Sequence, residues 1–226
     1  MTDDYESRRN KDDKDEKLVG EWLDKYFYPT WTSTSTRNFD KELQIRGLDI
    51  SVTSYEGIKY TIDEKAATHW IGKSLQTFAQ ELNSVNTKGE LYTGWLFQTN
   101  SASEYLMEIW VDGVDSIDNK LHEGTDITDI TITLVNKKDL LRYIAKRGGT
   151  ASQLISFAND IRNYGFRHHT GGSCDYDYWR DLKVVVQKEY QERAANILIP
   201  RSVLVNEIAT KSWRIKNHKI TLLRKK

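Results

Sequence analysis

From Glu16 onward the chain sets Leu18, Val19, Trp22, Leu23, Tyr26 and Phe27 three and four residues apart. That spacing predicts a helix with one buried face, and Pro29 predicts its end. Residues 1–15 are nearly all charged or polar and carry no apolar period, which predicts a disordered polar arm. After a Ser/Thr-rich stretch at 30–39, two runs alternate: Leu48, Ile50 and Val52 within 44–53, then Ile58, Tyr60 and Ile62 within 58–66. Alternation is the strand period, and the short turn at 54–57 predicts a hairpin. Leu75, Phe78, Ala79 and Leu82 predict a helix that stops near 83–89, and 95–99 with 105–111 predict a second hairpin. A strand follows at 127–135, with Ile130, Ile132 and Leu134 on one face. Asn136, with Asp139 three residues on, marks the start of a helix that runs to Gly148. Leu154, Ile155, Ala158 and Ile161 form the buried face of another over 151–164. A strand at 182–186 is followed by a helical or mixed segment, then by 197–200, and by a tail whose apolar positions alternate only weakly. Helices interleaved with strands predict an α/β fold, a central mixed sheet flanked by helices, over 16–210, with 211–226 as a basic C-terminal tail.

The 226 residues hold 33 Lys plus Arg against 33 Asp plus Glu, which argues against a partner bound by bulk charge alone. A nucleic-acid partner then requires charges segregated by region. The one cysteine, Cys174, excludes an internal disulfide and points to a reducing compartment. No window approaches the ~20 apolar residues of a membrane helix, and the N-terminus is charged, unlike a signal peptide. A cytoplasmic protein without membrane contact is expected.

The stretch that carries chemistry is Gln44-Ile45-Arg46-Gly47-Leu48-Asp49-Ile50, followed by Tyr60-Thr61-Ile62-Asp63-Glu64-Lys65. Strand period places Asp63 and Lys65 on one face and Ile62 with Glu64 on the other. Asp49 points away from the apolar face of Leu48, Ile50 and Val52, so a hairpin brings Asp49, Asp63 and Lys65 to one side. Two carboxylates and an ammonium converging there suit Mg²⁺ and an activated water. Five acid-x-Lys tripeptides occur, ending at Lys14, Lys17, Lys65, Lys120 and Lys183; about three are expected from composition. Only the one at Lys65 ends an alternating strand with a second strand-borne Asp upstream. A solvated ion-pair cluster on an exposed sheet is the plain alternative, worth only ~0.5 kcal/mol.

This pair of strands resembles the PD-(D/E)xK nuclease superfamily, the restriction-endonuclease-like fold, over roughly residues 16–112. Asp49 matches the first acid and Asp63-Glu64-Lys65 the acid-x-Lys, while Leu48 stands where many members have Pro. The resemblance implies a metal-dependent nuclease acting on DNA. Asp49 and Asp63 would coordinate Mg²⁺ or Mn²⁺, Glu64 would add its carbonyl, and Lys65 would handle the proton of the attacking water. It adds an acid from the preceding helix, Glu21 or Glu16, with Glu21 taken as the fourth catalytic residue. Gln80 or Glu81 on the next helix would face the phosphate. Many such enzymes cut as homodimers. The alternative of a different class is an inert nuclease-fold interaction protein of a phage, mobile-element or defence system.

Other motifs carry less. His168, His169, Cys174, Asp175 and Asp177 lack the paired spacing of a zinc site and read as a polar loop. Lys146 to Thr150 lacks the P-loop pattern and reads as a helix end followed by a helix start. Tyr92, Trp95, Phe97, Tyr105 and Trp110 read as hairpin core. After Glu207 there is no acid, and Lys211, Arg214, Lys216 and Lys219 surround Trp213. Such a segment suits contact with a DNA backbone, with Arg162, Arg167 and His168 alongside it.

Overall fold

The computed structural model describes residues 2–86, 88–118, 120–164, 168–169, 174–187 and 193–226. The chain opens with α1 (Thr2–Trp22), β1 (Thr32–Arg37), α2 (Lys41–Ile45), β2 (Ile50–Ser54) and β3 (Lys59–Ala66). Next come β4 (Thr77–Val85), β5 (Leu91–Thr93), β6 (Tyr105–Val114), β7 (Ile127–Asn136), α3 (Lys137–Gly148) and α4 (Ala151–Tyr164). Then follow β8 (His168–His169), β9 (Cys174–Trp179), β10 (Leu182–Gln187), β11 (Ala195–Pro200), β12 (Lys211–Lys216) and β13 (Lys219–Lys225). The protein is mixed α/β, and it divides into two compact units. The first holds Met1–Gln76, Ser101–Lys137 and Ser202–Lys226; the second holds Thr77–Asn100 and Lys138–Arg201. Among the described residues no helix is long and apolar enough to cross a membrane.

The first unit is built on a seven-stranded sheet in the order β1-β2-β3-β6-β7-β12-β13. All its neighbours pair antiparallel except β3 and β6, which run parallel. A short turn joins β2 to β3, the antiparallel connection from β1 to β2 carries α2, and the parallel neighbour β6 requires a long connection. Period-two rows pave one face: Ile50 and Val52, Tyr60 and Ile62, Met107 with Ile109 and Val111, Ile130 with Ile132 and Leu134, Trp213 and Ile215. Val19 and Trp22 of α1, with Leu23, Phe27, Tyr28 and Trp31 beyond it, join them in one core. Each such side chain contributes about 1.5–3 kcal/mol by leaving water. The second unit has a six-stranded sheet, β5-β4-β11-β10-β9-β8, and α4 buries Leu154, Ala158 and Ile161.

The hairpin at 50–66, the strand at 127–136, the helices ending at Gly148 and Tyr164, and the strand from Leu182 stand where the apolar pattern put them. Four segments differ, besides Cys174–Trp179, read as part of a polar loop and found as strand β9 paired with β10. Residues 2–15, read as an arm, are helix: Glu, Lys and Arg favour helix, and no Gly or Pro interrupts α1 before Gly20. Residues 77–85 form strand β4, not a helix, because the buried row is Phe78, Gln80 and Leu82, with a buried glutamine in the middle of the period. Trp95–Phe97 is a 3₁₀ turn, and β6 pairs with β3 and β7 and not with 95–99. The basic tail is the hairpin β12–β13, pinned by Trp213, whose ring lies 5.0 Å from Phe27 and 5.2 Å from Trp31.

Candidate active site

The residues singled out in the sequence lie in the first unit, where β2 begins and β3 ends beside α1. Asp40 caps α2, accepting from the backbone N–H of Glu42 and Leu43 at 2.8 and 3.2 Å. Gly47 then turns the chain at φ +72°, a left-handed conformation that glycine adopts without strain. A Cβ at this position would stand 2.6 Å from Oδ2 of Asp63, so the close approach also requires glycine. Two residues on, Asp49 donates its N–H to the Ile62 carbonyl at 3.0 Å. Its Oδ2 accepts the Glu64 N–H at 2.7 Å, which carries the β2–β3 ladder one step further by side chain.

Asp63 and Lys65 leave β3 on the same side, and Lys65 Nζ is 2.6 Å from Asp63 Oδ1. The Asp63 side chain is only 2 % exposed and the Lys65 side chain 31 %. A second ammonium, Lys137 Nζ, stands 3.5 Å from Asp63 Oδ2. Lys137 donates to Ser101 Oγ at 2.6 Å and to Ser103 Oγ at 2.7 Å. Glu64 turns toward α1. It accepts from the Tyr28 hydroxyl at 2.5 Å and from Arg37 Nη1 at 2.6 Å, and Arg37 also grips Asp24 at 2.7 and 2.8 Å. Arg37 also donates to the Gly20 carbonyl of α1 at 3.2 Å, so this charged bridge ties α1 to β3, and with it the acid that α1 brings to the site.

That acid is Glu16. A cleft of about 180 Å³ is lined by Glu16 and Gly20 of α1, by Leu23 just beyond it, and by Arg37, Gln44, Asp49 and Lys65. Glu21, expected from the sequence as the fourth catalytic residue, lies elsewhere: it pairs with Lys17 at 3.8 Å and lines a separate depression with Trp22, Lys25 and Glu123. Five residues along a helix is about 140° of rotation, so Glu16 and Glu21 cannot face one cleft. Gln80 and Glu81 sit on β4, in the second unit.

The electrostatics match carboxylates crowded around ammonium groups. Burial raises the Asp49 carboxyl to about 6, against the pull of Lys65 and with a push from Asp63. Desolvation by its neighbours likewise raises Glu16 to about 7, with Lys65 opposing; its side chain is exposed to solvent, so water screens this shift far more than that of Asp49. Burial alone would lower the Lys65 ammonium, but Asp63 and Asp49 hold it above its ordinary value, so it keeps its proton. Lys137 is lowered, chiefly by burial.

The carboxylates of Asp49 and Glu16, which line the cleft, are donors of the kind a hard divalent cation takes. Mg²⁺ is commonly held by one or two carboxylates with waters and phosphate completing its shell. Asp63, expected as a ligand, has an ammonium near each oxygen instead. No three His, Cys, Asp or Glu side chains among the described residues form a preassembled cation cage.

Three of the four basic tail residues expected to meet DNA have acidic partners. Arg214 binds Asp129 at 2.7 and 3.0 Å, Lys216 stands 4.0 Å from Asp129, and Lys211 stands 3.5 Å from Glu56 and over the Trp31 ring. Lys219 is exposed at the start of β13. Arg162 is buried and donates to Asn83, Asn159 and the Arg193 carbonyl, which makes it a structural residue of the second unit. Arg167, the loop at 170–173 and the side chains of His168, His169, Cys174 and Asp175 lie outside the described residues.

Sequence reasoning missed Arg37, Tyr28 and Lys137, which meet the acid-x-Lys strand from far along the chain. It had a signal for Glu16, which shares a helical stripe with Val19, Gly20 and Leu23. Comparison with protein-family models, with curated proteins and with solved structures finds no match.

Proposed function

We propose that the first unit is a restriction-endonuclease-like domain carrying a metal-dependent nuclease site of the PD-(D/E)xK type, with DNA as substrate. The observation that carries this reading is the convergence of Asp49, Lys65 and Glu16 on one cleft, with Asp63 directly behind Lys65. Burying this many charges together is costly, and a fold that needs only stability gains little from doing so.

Asp49 and Glu16, with the Glu64 carbonyl, would hold Mg²⁺ or Mn²⁺, while Asp63 stays paired with ammonium groups behind them. The cation, when bound, polarises the phosphate and lowers the pKa of water. Lys65 then offers a cationic N–H to charge that grows on the phosphate oxygens. A cation in the cleft would weaken Lys65's hold on its own proton, so that Lys65 in its neutral form would accept the proton of the attacking water and present the N–H so formed to the phosphate oxygens. Arg37 and Tyr28 keep Glu64, and so the peptide that joins Asp63 to Lys65, in register with α1. Lys219, with Lys216 beside it, is the surface suited to track a DNA backbone; Arg214 and Lys211 serve the sheet.

The pairing of Asp63 with two ammonium groups favours the other reading, an inert nuclease-fold interaction protein, and one experiment separates the two. Plasmid, linear duplex and single-stranded DNA are incubated with the protein and Mg²⁺ or Mn²⁺, against EDTA and against Lys65→Ala and Asp49→Asn. Metal-dependent cleavage that both substitutions abolish, with the unfolding midpoint nearly unmoved, is the expected result. Cleavage that persists in Lys65→Ala rejects the site. No cleavage on any substrate, together with no calorimetric Mn²⁺ binding, establishes the inert protein.

A further inference from the structure

The Asp63–Lys65 pair has a third member that the acid-x-Lys pattern does not contain. Asp63 lies between two ammonium groups that are held in different ways. Lys65 lines the cleft, and its side chain is 31 % exposed. Lys137 is 15 % exposed and is not among the residues of the cleft wall. Its three N–H directions are committed: to Ser101 Oγ at 2.6 Å, to Ser103 Oγ at 2.7 Å and toward Asp63 Oδ2 at 3.5 Å. Its backbone is fixed as well, since its N–H donates to the Glu104 carbonyl at 3.0 Å where β7 passes into α3. On another side, Gly47 brings bare backbone against the same Oδ2. One cation on Asp63 is therefore built to stay, and the other stands where it can reach into the cleft.

We propose that Lys137 is a positioning residue: the fixed counter-charge that holds the buried Asp63 carboxylate in place while Lys65 turns its ammonium from Asp63 toward a phosphate in the cleft. A carboxylate this deeply buried cannot be left without a cation when its partner departs, because an uncompensated buried charge is strongly unfavourable. With Lys137 in place, the departure of Lys65 leaves an ion pair behind. Without Lys137, Lys65 is the only ammonium among the described residues on Asp63 and stays there. Ser101 and Ser103 act through Lys137 by fixing where its charge sits.

The proposal deepens the nuclease reading, and its first test does not depend on that reading. The amino groups of the wild type and of Lys137→Met are acetylated with trace acetic anhydride, and the rate at Lys65 is read by mass spectrometry against exposed Lys73 and Lys120. Lys65 is expected to react at least about threefold more slowly in Lys137→Met, because its ammonium is then confined to Asp63. An equal or faster rate overturns the proposal. Ser101→Ala/Ser103→Ala keeps the charge, frees its position and guards against misfolding of Lys137→Met; it should shift the rate in the same direction by a smaller factor, and an unchanged rate counts against the idea. Where the wild type cleaves DNA, Lys137→Met should lower kcat by up to about 10²-fold with KM little changed, the signature of misplaced chemistry. A rise in KM alone would make Lys137 a substrate-binding residue and reject the positioning role. An inactive wild type removes the nuclease reading and leaves the labelling result to decide the proposal.

Discussion

Substituting Gly47 by Ala tests the placement of Asp63 most directly, because the structure gives both parts of the cost. Gly47 has φ +72°, and an alanine held there costs about 1–2 kcal/mol from backbone sterics. Some ~0.4–1 kcal/mol returns because alanine restricts the unfolded chain more than glycine does. Gly57, in the turn between β2 and β3, has φ +79° and nothing within 4 Å of where a methyl would stand, so Gly57→Ala should cost only this balance. At Gly47 the methyl meets Asp63 Oδ2 at 2.6 Å and Cγ at 3.1 Å. Asp63 has a short side chain, buried and paired to two ammonium groups, so it has little room to yield. Overpacking of this kind adds about 1–3 kcal/mol, and more if an ammonium contact breaks. Gly47→Ala should therefore exceed Gly57→Ala by at least ~1.5 kcal/mol in urea unfolding followed by tryptophan fluorescence. The Lys65→Ala background should shrink the excess, because Asp63 then has one partner fewer. Equal costs for the two glycine variants would show that Asp63 does not lie against Gly47, and the site as described would be wrong.

Asp49 and Glu16 titrate above their ordinary carboxyl range, at about 6 and about 7, so the folded protein binds their protons more tightly than the unfolded chain does. Their contribution to stability is full below about pH 4 and is lost as pH rises through 6 to 7; Asp49→Asn should flatten that decline, and Mn²⁺ should raise the melting temperature more at pH 8 than at pH 5.5. Arg37→Met strands Glu64, whose side chain is 11 % exposed, and should cost about 3–5 kcal/mol by urea unfolding, well beyond an exposed ion pair. Truncation after residue 210 removes β12 and β13 with Trp213, so near-ultraviolet circular dichroism should show loss of the core, where a solvated tail would leave it intact. Glu16→Gln should weaken Mn²⁺ binding in calorimetry, and Glu21→Gln should leave it at the wild-type value; equal effects would contradict the helix orientation.

Local pattern alone determined the β2–β3 hairpin, α4 and the burial of Ile130, Ile132 and Leu134, because each is a property of neighbours a few residues apart. The pairing of Asp63 with Lys65 was legible for the same reason, since two residues along a strand share a side. Asp49 could be assigned to their company once the hairpin was read, because its register follows from the turn. Where one polar residue stood in an apolar row the pattern misled: Gln80 hid the strand at 77–85. The alternation of Trp213 and Ile215 was a real strand signal, overshadowed by the basic residues between and around them.

Tertiary structure decided the rest. The parallel pairing of β3 with β6 depends on a long connection, and no periodicity encodes which strands meet across it. Lys137 reaches Asp63 across 74 positions of chain, and Arg37 joins Asp24 to Glu64 by side chains from three separate elements. Such contacts are set by how the sheet assembles and by where a helix can bury its stripe. The sequence could therefore determine which residues have the chemistry for a site. The fold alone determined which acid of α1 faces it and which lysine holds its buried carboxylate.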